Sequence, residues 1–305
     1  MALSNNNRAA LLMALAMAAF TFNDALTKTL TSAVPTGQMM FVRGSIMSAL
    51  LLVLALKMGA LSNLRSLLQP MVLLRVACES VATLAFLAAL GQLPLANISA
   101  ILQSLPLATT LGAALFLREP VGWHRWGAIL AGFGGIMLIA RPGAEGFTLA
   151  SLYMLVSVCG AAGRDLATKR VRPGTPSIGV TPATGIAAVF PGAGVMVSTT
   201  GWQPLESHSL LVLGIAATLL VIAHQSIVLA MRTADEISYI APLRYTSLLW
   251  AVSIGVIAFG ETVDPLMALG ALIVIASGLY TFYREKKRKL AKPLAQTPEP
   301  TSSAL

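Results

Sequence analysis

The pentapeptide DALTK at Asp24–Lys28 returns as DLATK at Asp165–Lys169, a lag of 141 residues. On that lag Leu11 falls on Leu152, Met13 on Met154 and Thr27 on Thr168. Further along the register drifts: Glu119 meets Glu261 and Val121 meets Val263 at a lag of 142, and Gly127 meets Gly270 and Gly135 meets Gly278 at 143. Ordered matches whose offset grows by about one residue per loop mark an internal duplication. The chain is two copies of one unit.

The solvent of those units follows from composition. Of 305 residues 56% are hydrophobic and only 11% charged, and the mean hydropathy is +0.78, which excludes an ordinary soluble domain. Apolar runs close to the length that crosses a bilayer lie at 11–29, 38–58, 71–90, 95–117, 126–140, 149–168, 178–199, 210–231, 237–259 and 266–283. The expected fold is therefore all-α and integral to the membrane, with ten transmembrane helices. Its organisation is a first five-helix repeat at 1–146, a second at 147–289 and a polar tail at 290–305, read as disordered and cytoplasmic. Because each unit holds an odd number of spans, the second copy enters the membrane from the opposite face, so the repeats are inverted. The first run has an uncleaved counterpart near 152–169, so it reads as a retained helix rather than a signal peptide.

A formal charge of +9 could suggest nucleic acid. Its placement does not, since Arg284, Lys286, Lys287, Arg288, Lys289 and Lys292 cluster behind the last span, as cytoplasmic flanks do. With both termini cytoplasmic, fifteen of the 21 Lys and Arg residues lie inside, against Lys28 and Arg141 outside. An inner (plasma) membrane location follows as the expectation. Cys78 and Cys159 both fall within spans and read as packing residues without a disulfide.

Charges inside spans are costly and call for a reason. Arg75 and Glu79 share a face of the third span, either as an ion pair or facing a cavity. Arg43 has no acid within a turn, so its partner comes from another helix or from a bound anion. Arg244 follows Pro242, which frees backbone carbonyls. A guanidinium fork suits a carboxylate or phosphate. Asp24 is either paired with Lys28 four residues on or part of a gate or proton-titrating site. Asp165, with Arg164 and Lys169, reads as a helix-end marker. Glu119 and Glu261 read as loop-orienting caps, and Trp123 and Trp126 as interfacial anchors. Tyr239, Tyr245 and Gln103 are candidates for a cavity wall, and the prolines and glycines of the seventh span, Pro182, Gly185, Pro191, Gly192 and Gly194, for a kink. The candidate substrate-binding set is thus Asp24, Arg43, Arg75, Glu79, Gln103, Tyr239, Arg244 and Tyr245.

Two stretches, Leu93–Ile139 with REP at Arg118–Pro120 and Ile237–Tyr280 with GET at Gly260–Thr262, each run from an apolar helix through a Glu into a Gly-rich helix. They resemble the two signature regions of the drug/metabolite transporter superfamily, in its ten-helix EamA-type branch. The resemblance spans roughly residues 9–283. It implies secondary transport by alternating access, in a family whose members move amino acids, sugars, nucleotide derivatives and drugs, often outward; the charges of both signs within the spans point to a small polar metabolite, an amino acid or derivative. FNDALTK at Phe22–Lys28, FVRG at Phe41–Gly44 and REPVGWHRWGAI at Arg118–Ile129 together also resemble members that carry S-adenosylmethionine, and another branch exports aromatic amino acids. The scattered His124, His208 and His224 form no metal or catalytic grouping, so an enzyme is not expected, and a channel is the remaining rival. The expected partners are a small-molecule substrate, the lipid bilayer and protons as coupling ion, with no cofactor, metal or nucleic acid, in a monomer or homodimer.

Overall fold

The computed structural model describes residues 5–57, 69–118, 122–140, 148–170, 177–234 and 240–291. Among them are ten helical spans and no strand. They are α1 (Asn5–Thr29), α2 (Thr36–Lys57), α3 (Pro70–Leu90), α4 (Leu95–Leu102, then Leu105–Phe116), α5 (Trp123–Ala140), α6 (Leu149–Lys169), α7 (Ser177–Thr199), α8 (Ser207–Thr233), α9 (a 3-10 turn Ala241–Tyr245, then Thr246–Phe259) and α10 (Pro265–Ala291). Apolar runs become helices because a lipid-embedded backbone must satisfy its own N–H and C=O groups. Large apolar side chains face outward as well as into the core, and some polar ones are enclosed: Ile257 is 84% exposed, while Arg43 and Gln103 are buried.

Helix–helix packing shows the duplication directly. Helix α1 packs on α8 as α6 packs on α3; α2 packs on its own counterpart α7, and α5 on its counterpart α10. Smaller contacts obey the same exchange, α1 against the helical part of α9 and α6 against the second part of α4. Each pair maps onto another when first-repeat and second-repeat helices are swapped, which is a pseudo-twofold arrangement of inverted repeats. The self-paired helices cross at small residues. A Cβ at Gly192 would lie 2.6 Å from the backbone N of Phe41, and one at Gly135 would lie 2.7 Å from the carbonyl O of Gly270.

The helices that break are α4 and α9. In α4 the α-helix stops at Leu102 and resumes at Leu105, with Pro106 in the new first turn; in α9 the 3-10 turn carrying Pro242 ends at Tyr245. Gln103 and Tyr245 are repeat counterparts at a lag of 142, so the interruption is itself duplicated. Helix α7, the span rich in proline and glycine, is continuous from Ser177 to Thr199, and Gly192 serves the crossing with α2. Helix α9 ends at Gly260, φ 63°, where the N–H of Glu261 donates to the Gly255 carbonyl. Its counterpart one repeat earlier, Arg118, has φ 53° without glycine's freedom.

Candidate functional site: a charged cavity between the repeats

Eight of the ten helices, α1–α4 and α6–α9, enclose a cavity of about 490 Å³, while α5 and α10 pack on each other outside it. That volume lies in the range of small-molecule sites. Of the sequence candidates, Asp24, Arg43, Arg75, Glu79, Gln103, Arg244 and Tyr245 all line it. Tyr239 lies outside the described residues.

Helix α1 builds one wall. Asn23 donates from Nδ2 to Asp24 Oδ1 at 2.8 Å, and Arg43 reaches across from α2 to Asn23 Oδ1 at 3.4 Å and Thr27 Oγ1 at 3.3 Å. Those are long contacts to neutral groups. Arg43 is 6% exposed and, among the described residues, has no carboxylate in ion-pair reach. Asp24 likewise has no ion pair there. Its expected pairing with Lys28 does not form, because Lys28 turns away.

Helix α6 builds the repeat-related wall and pairs its charges. Arg164 donates to Glu79 of α3 at 2.9 Å and to Asp165 at 2.9 Å, and Arg75 Nε donates to Thr168 Oγ1 at 3.1 Å. Glu79 therefore has Arg164 as its bridging partner across helices. Asp165, expected as a plain end marker, lines the cavity with Arg164. Both were missed as cavity residues because Lys169, Arg170 and Arg172 give the segment the look of a basic flank. The registration of Arg164 on buried Asn23 was the signal that would have placed it inside. His224 was also missed, although a histidine in the middle of an apolar span is itself a signal. Its Nδ1 lies 2.8 Å from the Leu220 carbonyl, and its ring meets that of Phe20 edge-on at 5.1 Å.

The interruptions of α4 and α9 meet in the lining. Gln103 Nε2 donates to the Arg244 carbonyl at 3.3 Å and to Ser247 Oγ at 2.9 Å. The Tyr245 ring lines the cavity, but its hydroxyl is buried against Gly278 of α10, without a hydrogen-bond partner among the described residues.

One end of the cavity is sealed. At the end opposite both termini, Lys28 Nζ bridges to Glu261 Oε1 at 2.8 Å and donates to the Leu93 carbonyl. The Glu261 oxygens in turn accept the Leu95 N–H at 2.9 and 2.8 Å. Glu261 is thus more than a cap on its own loop, since it ties α1, α9 and the start of α4 together. Gln38 and Gln203 exchange a reciprocal pair at the same end, 2.7 and 3.1 Å. Toward the end that bears both termini the lining opens, from buried Asn23 and Arg43 through part-exposed Arg164 to exposed Thr168.

A multi-pass helical membrane protein with inverted repeats, two discontinuous helices and a polar cavity between them is the architecture of a secondary carrier. The sequence model of the EamA-like transporter family matches residues 7–141, the first of the two repeats. The chain is similar to a riboflavin transporter of Rhizobium johnstonii, 29% identical over 71% of this chain and 71% of that one. It is similar also to a riboflavin transporter of Vibrio cholerae, 31% identical over 64% of this chain and 65% of that one. An S-adenosylmethionine uptake transporter of Rickettsia bellii is 27% identical over 64% and 66%. A crystal structure superposes with a TM-score of 0.59 at 19% identity, covering 92% of this chain and 98% of that one, a likeness of fold.

Proposed function

We propose that the protein is a secondary transporter that carries a small polar metabolite, an amino acid or a derivative of one, across the membrane by alternating access. The observation that carries this reading is the cavity between the repeats, sealed at one end by Lys28, Glu261 and Leu95 and open toward the other. With both termini in the cytoplasm of an inner membrane, this is an inward-facing state. The repeats, 1–146 and 147–289, would exchange conformations to open the opposite side. A lining that offers both a carboxylate, Asp24, and guanidinium groups suits a zwitterion. Asp24 would take an ammonium group or the coupling proton.

A second reading, transport of S-adenosylmethionine as named for the Rickettsia relative, is favoured by the rings of Phe20 and His224 in the lining, against which a heteroaromatic ring can pack. Direction follows the gradient that drives the cycle, so the export expected from the resemblance and the uptake named for that relative are both open to one mechanism. The test is purified protein in liposomes with labelled amino acids, S-adenosylmethionine and riboflavin, with and without a pH gradient. Saturable, counterflow-competent flux supports the proposal; flux that never saturates indicates a channel.

A further inference from the structure

The cavity lining carries four guanidinium groups, on Arg43, Arg75, Arg164 and Arg244, against three carboxylates, on Asp24, Glu79 and Asp165. Two of the carboxylates, Glu79 and Asp165, are bonded to Arg164. Arg43 is bonded to Asn23 and Thr27, and Arg75 to Thr168, which leaves Arg244 as the guanidinium of the lining that no side chain holds among the described residues. Its side chain makes no hydrogen bond or ion pair among the described residues, and the acid whose field it feels, Asp165, is already held by Arg164 at 2.9 Å. A guanidinium withdrawn from bulk water without a counter-charge is unfavourable unless something else supplies the charge.

The position of Arg244 is built rather than incidental. It sits in the 3-10 turn of α9, whose carbonyl at Arg244 is held by Gln103 from the matching break in α4. The two interruptions face each other across the pseudo-twofold, where cargo bound between the repeats would lie. On the α4 side the interruption presents a neutral amide, and on the α9 side a cation. A symmetric frame that puts a charge on only one side of its axis is suited to cargo with one charged end.

From this geometry we infer that the cargo carries an anionic group, a carboxylate or phosphate, and that the Arg244 guanidinium is the residue that receives it. The inference rests on the transport reading and narrows it: the negative charge of the cargo is required for recognition rather than tolerated. A wholly neutral molecule, such as the riboflavin named for two relatives, is then a poorer cargo than its phosphate ester. An amino acid is a better one than its amide.

The test uses the full chain reconstituted in liposomes and two matched pairs differing in the anionic group alone, tryptophan against tryptophanamide and riboflavin 5′-phosphate against riboflavin. A charge-assisted bond contributes enough to give the anionic member of the transported pair roughly a tenfold or greater advantage in kcat/KM. Arg244→Gln should reduce that advantage to about twofold or less, chiefly through KM, while Arg244→Lys retains a good part of it. Melting temperatures of both variants in detergent separate loss of preference from loss of fold. If the neutral member moves as well as the anionic one in the wild type, or the preference survives Arg244→Gln, the inference is overturned while transport stands. The same holds if the cargo found in the wider panel has no negative group. If no solute shows saturable flux, the transport reading falls, and this inference with it.

Discussion

Helices α1 and α6 carry the same motif, a carboxylate followed three residues on by a threonine, and differ at the position before the carboxylate. In α6 that position is Arg164, which bonds both Asp165 and Glu79; in α1 it is Asn23, which gives Asp24 one neutral hydrogen bond. The threonines behave alike, Thr27 accepting Arg43 and Thr168 accepting Arg75. One substitution thus separates a wall whose charges are spent on each other from a wall whose carboxylate and arginine are left without an ionic partner. Duplication supplied the frame, and divergence at the position before the carboxylate left Asp165 in an ion pair and Asp24 without one among the described residues.

The sharpest way to break this contrast is to neutralise the two aspartates in turn. Asp24→Asn should leave the melting temperature near that of the wild type, since Asn23 can bond an amide as well, while transport in liposomes falls about a hundredfold or more if the carboxylate takes a proton or ammonium. Asp165→Asn should do the reverse, lowering the melting temperature while flux per folded molecule stays within a few-fold. Equal transport defects would erase the distinction between the walls. Next in size is Arg164→Ala, which leaves Glu79 and Asp165 without their cation. Breaking a buried pair costs about 3–5 kcal/mol, and partial exposure of Arg164 places this one near the lower bound. A variant that melts as the wild type does would show the pairing to be incidental.

A smaller effect belongs to the seal. Lys28→Met removes the cation that ties α1 to Glu261, worth roughly 1–2 kcal/mol for a largely desolvated pair, which shifts a two-state equilibrium about tenfold. A cysteine at Ser99, in a background with Cys78 and Cys159 replaced, should then react several-fold faster with an impermeant thiol reagent added on the sealed side. An unchanged rate would mean that the seal rests on the apolar packing of Leu90, Leu93 and Leu95 instead.

Much of this architecture was legible in the chain. Ten spans and the inversion followed from hydropathy and from a lag anchored at Asp24 and Asp165, because those signals are local or periodic. What the sequence did not show was which charge meets which. Lys28 stands four residues from Asp24, so spacing favoured a pair within that helix. The fold instead sends Lys28 to Glu261, 233 residues away, and brings Arg164 to Glu79 from 85 residues away. Long-range pairing depends on how the helices are rotated about their axes, and with apolar residues on nearly every face no amphipathic stripe records that rotation. The breaks in α4 and α9 were hidden for a related reason. Pro106 and Pro242 are visible, but α7 has prolines too and stays continuous.

The finest contrast between the repeats lies at those breaks. Gln103 spends its amide on Arg244 and Ser247, whereas its counterpart Tyr245 buries a hydroxyl that bonds nothing among the described residues. Gln103→Leu should therefore cost about 1–2 kcal/mol, seen as a lower melting temperature, because it strips one bond from a backbone carbonyl and one from a serine. Tyr245→Phe removes only an oxygen that gained no protein partner when it left water, so its melting temperature should match or slightly exceed that of the wild type, by no more than about 1 kcal/mol. The hydroxyl faces Gly278, where a Cβ would overlap it, so the space was made for the ring rather than for a hydrogen bond. If Tyr245→Phe melted as low as Gln103→Leu, the hydroxyl would have a partner in the membrane, and the two interruptions would be alike in what holds them.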